Sequence, residues 1–274
     1  MTASDWDAET YSRVASPQLE WSADVIARLR LHGDETVLDA GCGSGGVTAG
    51  LLDVLPRGHV VAVDGSPAMI EAARARLGDR RVSFHCQDLS ELTLDRPVDH
   101  AFSNSTFHWI PDHAKLFSRL NRAIRPGGRL VAQCGGPGNV AEIVRGLEIV
   151  TREEPFRDDV GELEAPWNFA DPDETESRLI AAGFAEPHCW LEKRLAIVDD
   201  PQSFVEASCL APYRERLDQD LFRQFSDRLM EAMGYPENFS YVRLNMDATR
   251  GTGQVPAGGP VRNSTGKGER GERK

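Results

Sequence analysis

The sequence lacks any apolar run long enough to cross a bilayer, and it opens MTASDWDAETYSRV, with acids where a secretory leader needs a basic start and an apolar core. Membrane anchoring and export are not expected, and the chain reads as cytoplasmic. Cysteine is sparse. Cys42, Cys86, Cys134, Cys189 and Cys209 are odd in number and scattered, with no C-x-x-C pair and no metal-ligand spacing. They read as reduced thiols in a reducing compartment, with no disulfide framework and no bound metal. Basic charge is in deficit, with 31 Lys and Arg against 43 Asp and Glu and a net charge of -12. A grip on phosphate backbones needs clustered cations, so DNA and large RNA are set aside as partners in favour of a small molecule. Internal repeats are absent, and no linker divides the chain before residue 250. From Gly251 to Lys274 no aromatic residue occurs, so residues 251–274 offer no apolar area to offset chain entropy and are expected to be a disordered tail. Oligomeric state is not written in the sequence.

What the first half does contain is alternation. Strand-length apolar runs at Thr36–Ala40, His59–Val63, Val82–Cys86, Val98–Ser103 and Arg129–Cys134 are separated by helical patterns, the signature of βαβ units around a parallel sheet. The helices are punctuated. Ser66-Pro67 supplies an N-cap and a first-turn proline ahead of Met69, Ile70, Ala73 and Leu77, and Gly78 stops the helix. Asp112 opens a second, carrying Leu116, Phe117, Leu120 and Ile124 up to Pro126-Gly127-Gly128. An upstream helix over about Gln18–Leu31 places Leu19, Val25, Ile26 and Leu29 on one face.

After Cys134 the rhythm changes. A glycine-rich turn leads to a helix ending near Thr151, then to a polar, proline-broken stretch as far as Asn168 that reads as a mobile cover. Asp173–Ala182 reads as a helix, Glu186–Ile197 as a strand, Pro201–Leu210 and Leu217–Met233 as helices, and Ser240–Asp247 as a last strand. That order inserts helices between the final two strands. The expectation is one α/β domain over residues 1–250, in which residues 135–170 and 200–235 form the cover and the substrate region.

The turn after the first strand carries the chemistry. Gly41, Gly43 and Gly45 let the backbone approach a ligand closely, with amides presented from the following helix N-terminus. Gly41, Gly43 and Gly46 also satisfy G-x-G-x-x-G, so a dinucleotide-binding oxidoreductase is a competing reading. Asp39 separates the two. A carboxylate at the very end of that strand gains nothing beside a pyrophosphate but attracts a cationic ligand. Asp64, ending the second strand, is placed to accept hydrogen bonds from both ribose hydroxyls. Asp88, after the third, could accept from an adenine amino group, with Leu89 and Met69 on the ring faces, or could simply cap a turn.

With VLDAGCGSG over the loop and VVAVDGSP over the second strand, the sequence resembles the class I methyltransferases, from about Trp6 to Arg250. Tyr11-Ser-Arg13-Val, the run from Ser103 through His108-Trp109, and Leu130-Val-Ala-Gln-Cys134 are most similar to the trans-aconitate and juvenile hormone acid methyltransferases. The resemblance implies a Rossmann-like, doubly wound seven-stranded sheet ordered 3-2-1-4-5-7-6, its seventh strand antiparallel, and S-adenosylmethionine as methyl donor. It implies that Tyr11 and Arg13 belong to an aromatic N-terminal segment folding over the cofactor, that Gln18 touches cofactor or acceptor, and that Asn104 lies beside the cofactor.

Methyl transfer from a sulfonium is an in-line displacement, so alignment and exclusion of water are the main requirements. A carboxylate acceptor is already ionised at neutral pH, whereas an alcohol or amine would need a general base, for which His108 is the candidate. Trp109 lines the acceptor pocket or faces the sulfonium. An acid acceptor calls for Arg or Lys, and Arg13, Arg152, Arg157, Arg194, Arg214 and Arg243 are all eligible. O-methylation of a carboxylic acid leads. Nitrogen or carbon methylation, a nicotinamide enzyme without a Y-x-x-x-K pair, and a cofactor-binding protein without turnover stay open.

Overall fold

The computed structural model describes residues 16–78, 80–163 and 166–252. Strands β1 (Thr36–Ala40), β2 (His59–Asp64), β3 (Val82–Cys86), β4 (His100–Asn104), β5 (Arg129–Gly135), β6 (Phe184–Ile197) and β7 (Asn238–Arg250) form one sheet in the order β3-β2-β1-β4-β5-β7-β6. The pairs among β1 to β5 are parallel, and β7 runs antiparallel to both β5 and β6. This is the expected order, with the seventh strand antiparallel.

Buried strands flanked by helices on both sides read as continuous apolar runs, and successive side chains of β1 divide between two cores. Val37 packs with Val25, Ile26 and Leu29 of α1 (Ser16–Arg28), Leu51 and Leu52 of α2 (Gly46–Asp53), and Ile70 and Leu77 of α3 (Pro67–Leu77). Leu38 faces the other way, toward Leu116, Phe117 and Leu120 of α4 (His113–Ala123) and Leu179 of α7 (Pro172–Ala181). Each fully buried large apolar side chain in these two layers contributes roughly 1.5–3 kcal/mol. The third core lies at the β6–β7 end. There α5 (Ala141–Val150), α6 (Arg157–Val160), α8 (Pro201–Cys209), α9 (Ala211–Arg214) and α10 (Gln219–Ala232) bury Leu147, Phe156, Phe204, Tyr213, Phe225 and their neighbours.

Caps fall where the side-chain chemistry puts them. Ser66 accepts from the Met69 amide at 3.3 Å, and Asp112 from the Lys115 amide at 2.9 Å. β4 begins two residues later than expected because Val98 forms only an isolated bridge to Ile124, and it runs on to Asn104. β6 starts earlier, at Phe184. Its ladder slips between Ala185 and His188, where Glu186 takes φ 48° and Pro187 has no amide to donate. The stretch before Asn168 is not merely a polar cover, since it includes α6 and buries Phe156 against Phe225, rings 5.3 Å apart. No helix among the described residues is long and apolar enough to cross a membrane. The 251–274 tail lies, apart from its first two residues, outside the described residues.

Candidate functional site

Strand order reverses between β1 and β4, and a cleft of about 1200 Å³ opens at the carboxyl ends of the strands there. Ligands of doubly wound sheets bind at this switch point.

The glycine turn is held by its surroundings. The Gly41 amide donates to the Val63 carbonyl at 2.8 Å, and Thr106 Oγ1 donates to the Gly41 carbonyl at 3.2 Å, tying the exit of β4 to the exit of β1. Gly41 has φ +89°, and a Cβ there would stand 2.1 Å from Thr106 Oγ1. Gly43, at φ +51°, differs. It lines the cleft, and a Cβ on it would meet nothing within 4 Å. The backbone is therefore bare toward space a ligand can use.

Asp39 and Asp64 flank the turn. Asp39 is 1% exposed and its Oδ2 accepts from Thr48 Oγ1 at 2.7 Å. Burial pushes this carboxyl up to about 7; the Thr48 hydrogen bond works against the rise, and the nearby charge of Asp64 adds to it. Asp64 accepts the Gly43 amide on Oδ2 and the Ser66 amide on Oδ1, both at 2.9 Å. Burial raises its pKa as well, against the amides of Ser66, Gly43 and Gly65. Each oxygen keeps acceptor capacity beyond its one amide. A buried carboxylate whose ionisation is disfavoured by a second, half-buried one forms a site that a cation would stabilise. Asp88 is exposed on the rim, and its Oδ1 caps the 3₁₀ turn Leu89–Glu91 by accepting from the Ser90 amide at 2.8 Å. Met69 and Leu89, both buried, line the cleft beside it, as does Asn104 at the end of β4.

Further along the same cleft stands an aromatic wall. His108 and Trp109 belong to a 3₁₀ turn, Phe107–Trp109, with ring centroids 5.4 Å apart. The Asn168 amide donates to the His108 carbonyl at 2.8 Å, which brings Trp167 edge-on to Trp109 at 5.7 Å and Phe169 to within 6.0 Å of His108. His108 is buried, and its Nδ1 accepts the Gly135 amide at 3.2 Å. Burial, then the charge of Arg243, then His113, keep its pKa well below the ordinary imidazole value. With Nδ1 accepting from Gly135, the tautomer that carries the proton on Nε2 fits this contact, and burial disfavours the imidazolium.

The structure thus gathers Asp39, Gly41, Gly43, Asp64, Met69, Asp88, Leu89, Asn104, His108 and Trp109 around one cleft. Tyr11 and Arg13 lie outside the described residues; Gln18 falls within α1. Among the arginines put forward for an acid, Arg243 alone of the described ones lines the cleft. Arg194 pairs with Asp24 and Glu192, Arg214 with Glu206, Arg157 with Glu154, and Arg152 is exposed. Sequence reasoning missed Thr48, Ser105, Thr106 and Trp167. Thr48 has no local signal and supports the site from behind through Asp39; Trp167 reaches the cleft only through the fold, while Ser105 and Thr106 lie in the Ser103 to Trp109 run already singled out.

A family model described as a methyltransferase domain matches residues 37–128. The chain is 31% identical to a trans-aconitate 2-methyltransferase from Methylobacterium radiotolerans, across 88% of this chain and 94% of the relative. It is 32% identical to one from Azoarcus sp., across 78% of this chain and 84% of the relative. Among solved structures, phosphoethanolamine N-methyltransferase 2 from Haemonchus contortus, in complex with S-adenosyl-L-methionine, superimposes with a TM-score of 0.54 at 21% identity, over 85% of this chain and 52% of that one.

Proposed function

This chain belongs to the class I S-adenosylmethionine-dependent methyltransferases, and from that premise we propose that it methylates a small carboxylic acid on oxygen. When bound, S-adenosylmethionine supplies a methyl group activated by a sulfonium. Asp64 would hold the ribose hydroxyls with its remaining lone pairs, Met69 and Leu89 would pack on the adenine, and Asp88 would accept from its amino group. Asp39 supplies the negative field for a cationic nucleoside from beneath the turn, and Gly41 and Gly43 leave the backbone bare enough for contact. Asn104 would sit beside the same ligand. Trp109 and Trp167 wall the acceptor side and exclude water.

The observation that carries the acid acceptor is the state of His108. With Nδ1 engaged by the Gly135 amide and burial disfavouring the imidazolium, His108 is a poor proton acceptor. Such a site suits an acceptor that arrives as a ready nucleophile, and a carboxylic acid with a pKa of about 4 does so at neutral pH. The names of the two relatives point to the same chemistry. Net charge -12 favours a small acceptor over nucleic acid, and four buried cysteines beside one exposed suit a reducing cytoplasm.

Transfer of labelled methyl from S-adenosylmethionine to a panel of acids, phenols and amines tests the reading. Base-labile methyl esters are expected. Label appearing only on phenols or amines, or S-adenosylhomocysteine binding with no transfer to any member, would overturn it.

A further inference from the structure

We infer that the end of the sheet opposite the ligand cleft carries a receptor for a phosphate group, free or borne by a small molecule, formed by Arg30, His32, His100, Arg125 and Arg129. It lies apart from the cleft, at the amino ends of the parallel strands.

A second cavity, of about 430 Å³, opens there and is lined by these five residues together with Glu35. Glu35 directly precedes β1, while His100 and Arg129 are the first residues of β4 and β5. Arg30 and His32 lie in the segment joining α1 to β1, and Arg125 in the turn from α4 to β5. In a chain of net charge -12, such a gathering of cationic and imidazole side chains departs from the general balance.

The acids nearby are already satisfied. Glu35 accepts the His32 amide on Oε1 at 2.7 Å and the Gly33 and Asp34 amides on Oε2 at 2.8 and 3.1 Å. Burial pushes its carboxyl up, but these backbone amides and its own outweigh that and hold it below the ordinary glutamate value. Asp99 accepts the Thr36 amide on Oδ2 at 2.7 Å and faces Arg125 Nε on Oδ1 at 3.0 Å. Asp247 is shared between Arg28 at 2.9 Å and Arg129 at 3.7 Å.

The cations are less fully used. The Arg30 side chain has no hydrogen bond or ion pair among the described residues, and Arg125 meets Asp99 through Nε, which leaves its terminal amines without a hydrogen bond there. His100 Nδ1 accepts the Arg129 amide at 3.0 Å, and the tautomer that fits this contact leaves Nε2 as a donor. Arg129 itself closes the end of α1, donating through Nη1 to the Arg28 and Leu29 carbonyls at 2.5 and 3.1 Å, so it supplies positive field more than open donors. Arg30 adds a separate observation. It takes φ +55°, two residues past the end of α1, where a left-handed turn ordinarily selects glycine. An arginine without a partner is held there against strain, beside a cavity.

Donors from three separate segments suit a tetrahedral oxyanion, which accepts in several directions, better than a planar carboxylate. With a water occupying about 30 Å³, the cavity also has room for a small organic body on the phosphate.

The test uses the full chain saturated with S-adenosylhomocysteine, so that the ligand cleft is filled. Melting temperature is followed against inorganic phosphate, glycerol 3-phosphate and sodium chloride at matched ionic strength. Phosphate and glycerol 3-phosphate should raise it saturably and chloride should not. A stronger response to glycerol 3-phosphate assigns the site to a phosphomonoester, and the reverse assigns it to the free anion. Arg30→Gln and Arg125→Gln, both at exposed positions, should each weaken the phosphate response at least fivefold and together remove it, with S-adenosylhomocysteine affinity within about twofold of wild type. Arg30→Gly relieves the left-handed strain as it removes the cation, so it should melt no lower than wild type without phosphate and yet lose the response. Equal stabilisation by chloride and phosphate, or an unchanged phosphate response in the double variant, overturns the assignment.

Discussion

Thr48, in the first turn of the helix that follows the glycine loop, donates a 2.7 Å hydrogen bond back to Asp39, the last acid before that loop. The bond fastens the two sides of the turn from below and fixes the carboxylate beneath the ligand space.

A pH dependence follows from Asp39. Its carboxyl is raised from 3.8 to about 7 in the folded chain, so between those values the folded state holds a proton that the unfolded state has released. Stability from this group is therefore lost as pH rises from about 4 to 7, by up to ~4 kcal/mol, and does not return above that range. Asp39→Asn should flatten the decline in melting temperature of the ligand-free protein across this window. S-adenosylhomocysteine carries an ammonium that favours ionised Asp39, so its affinity should increase between pH 6 and 8 in wild type and stay level in the variant. Equal slopes in the two proteins would exclude Asp39 as the titrating group.

The two glycines of the turn should separate folding from binding. Gly41→Ala drives a Cβ to within 2.1 Å of Thr106 at φ +89° and should cost several kcal/mol, read as a drop in denaturant midpoint. Gly43→Ala meets nothing within 4 Å and should cost only about 1–2 kcal/mol of left-handed strain. Its new methyl projects into the cleft, so S-adenosylhomocysteine binding should fall at least tenfold with the fold retained. A folded Gly43→Ala protein with wild-type affinity would show that the ligand does not approach this backbone.

Asp64 holds two amides and, in the proposed complex, two ribose hydroxyls. Asp64→Ala should reduce S-adenosylhomocysteine affinity by a hundredfold or more in calorimetry. Asp64→Asn, which can accept on only one atom, should fall between it and wild type.

His108 acts as a donor in this scheme. His108→Gln, which can still donate, should retain at least a tenth of wild-type kcat toward an acid, and kcat against pH should be level between 6.5 and 9 in both proteins. An inflection near pH 7 in wild type that disappears in the variant would restore the general-base role.

The sheet and the cofactor half of the site were legible in the sequence because their signals are local: apolar runs of strand length, Ser66-Pro67, and glycines just after Asp39. The order of the final strands came from resemblance, since no local pattern says that β7 lies between β5 and β6. The acceptor half was far less legible. Arg243 could not be separated from Arg194 or Arg214 until the fold placed it on the cleft beside Ser105, 138 residues away in sequence, and left those two off it. Asp88 illustrates a different difficulty, because one oxygen capping a turn and a place on the cleft rim are compatible, and spacing alone cannot say which a residue does.

Because β7 lies between β5 and β6, Arg243 joins the cleft lining from the last of the seven described strands, whereas Asp39, Gly43 and Asp64 come from the first two and the turn between them. The walls of the cleft are therefore supplied by widely separated stretches of the chain, so a substitution in one stretch can alter one wall and leave the other as it stands.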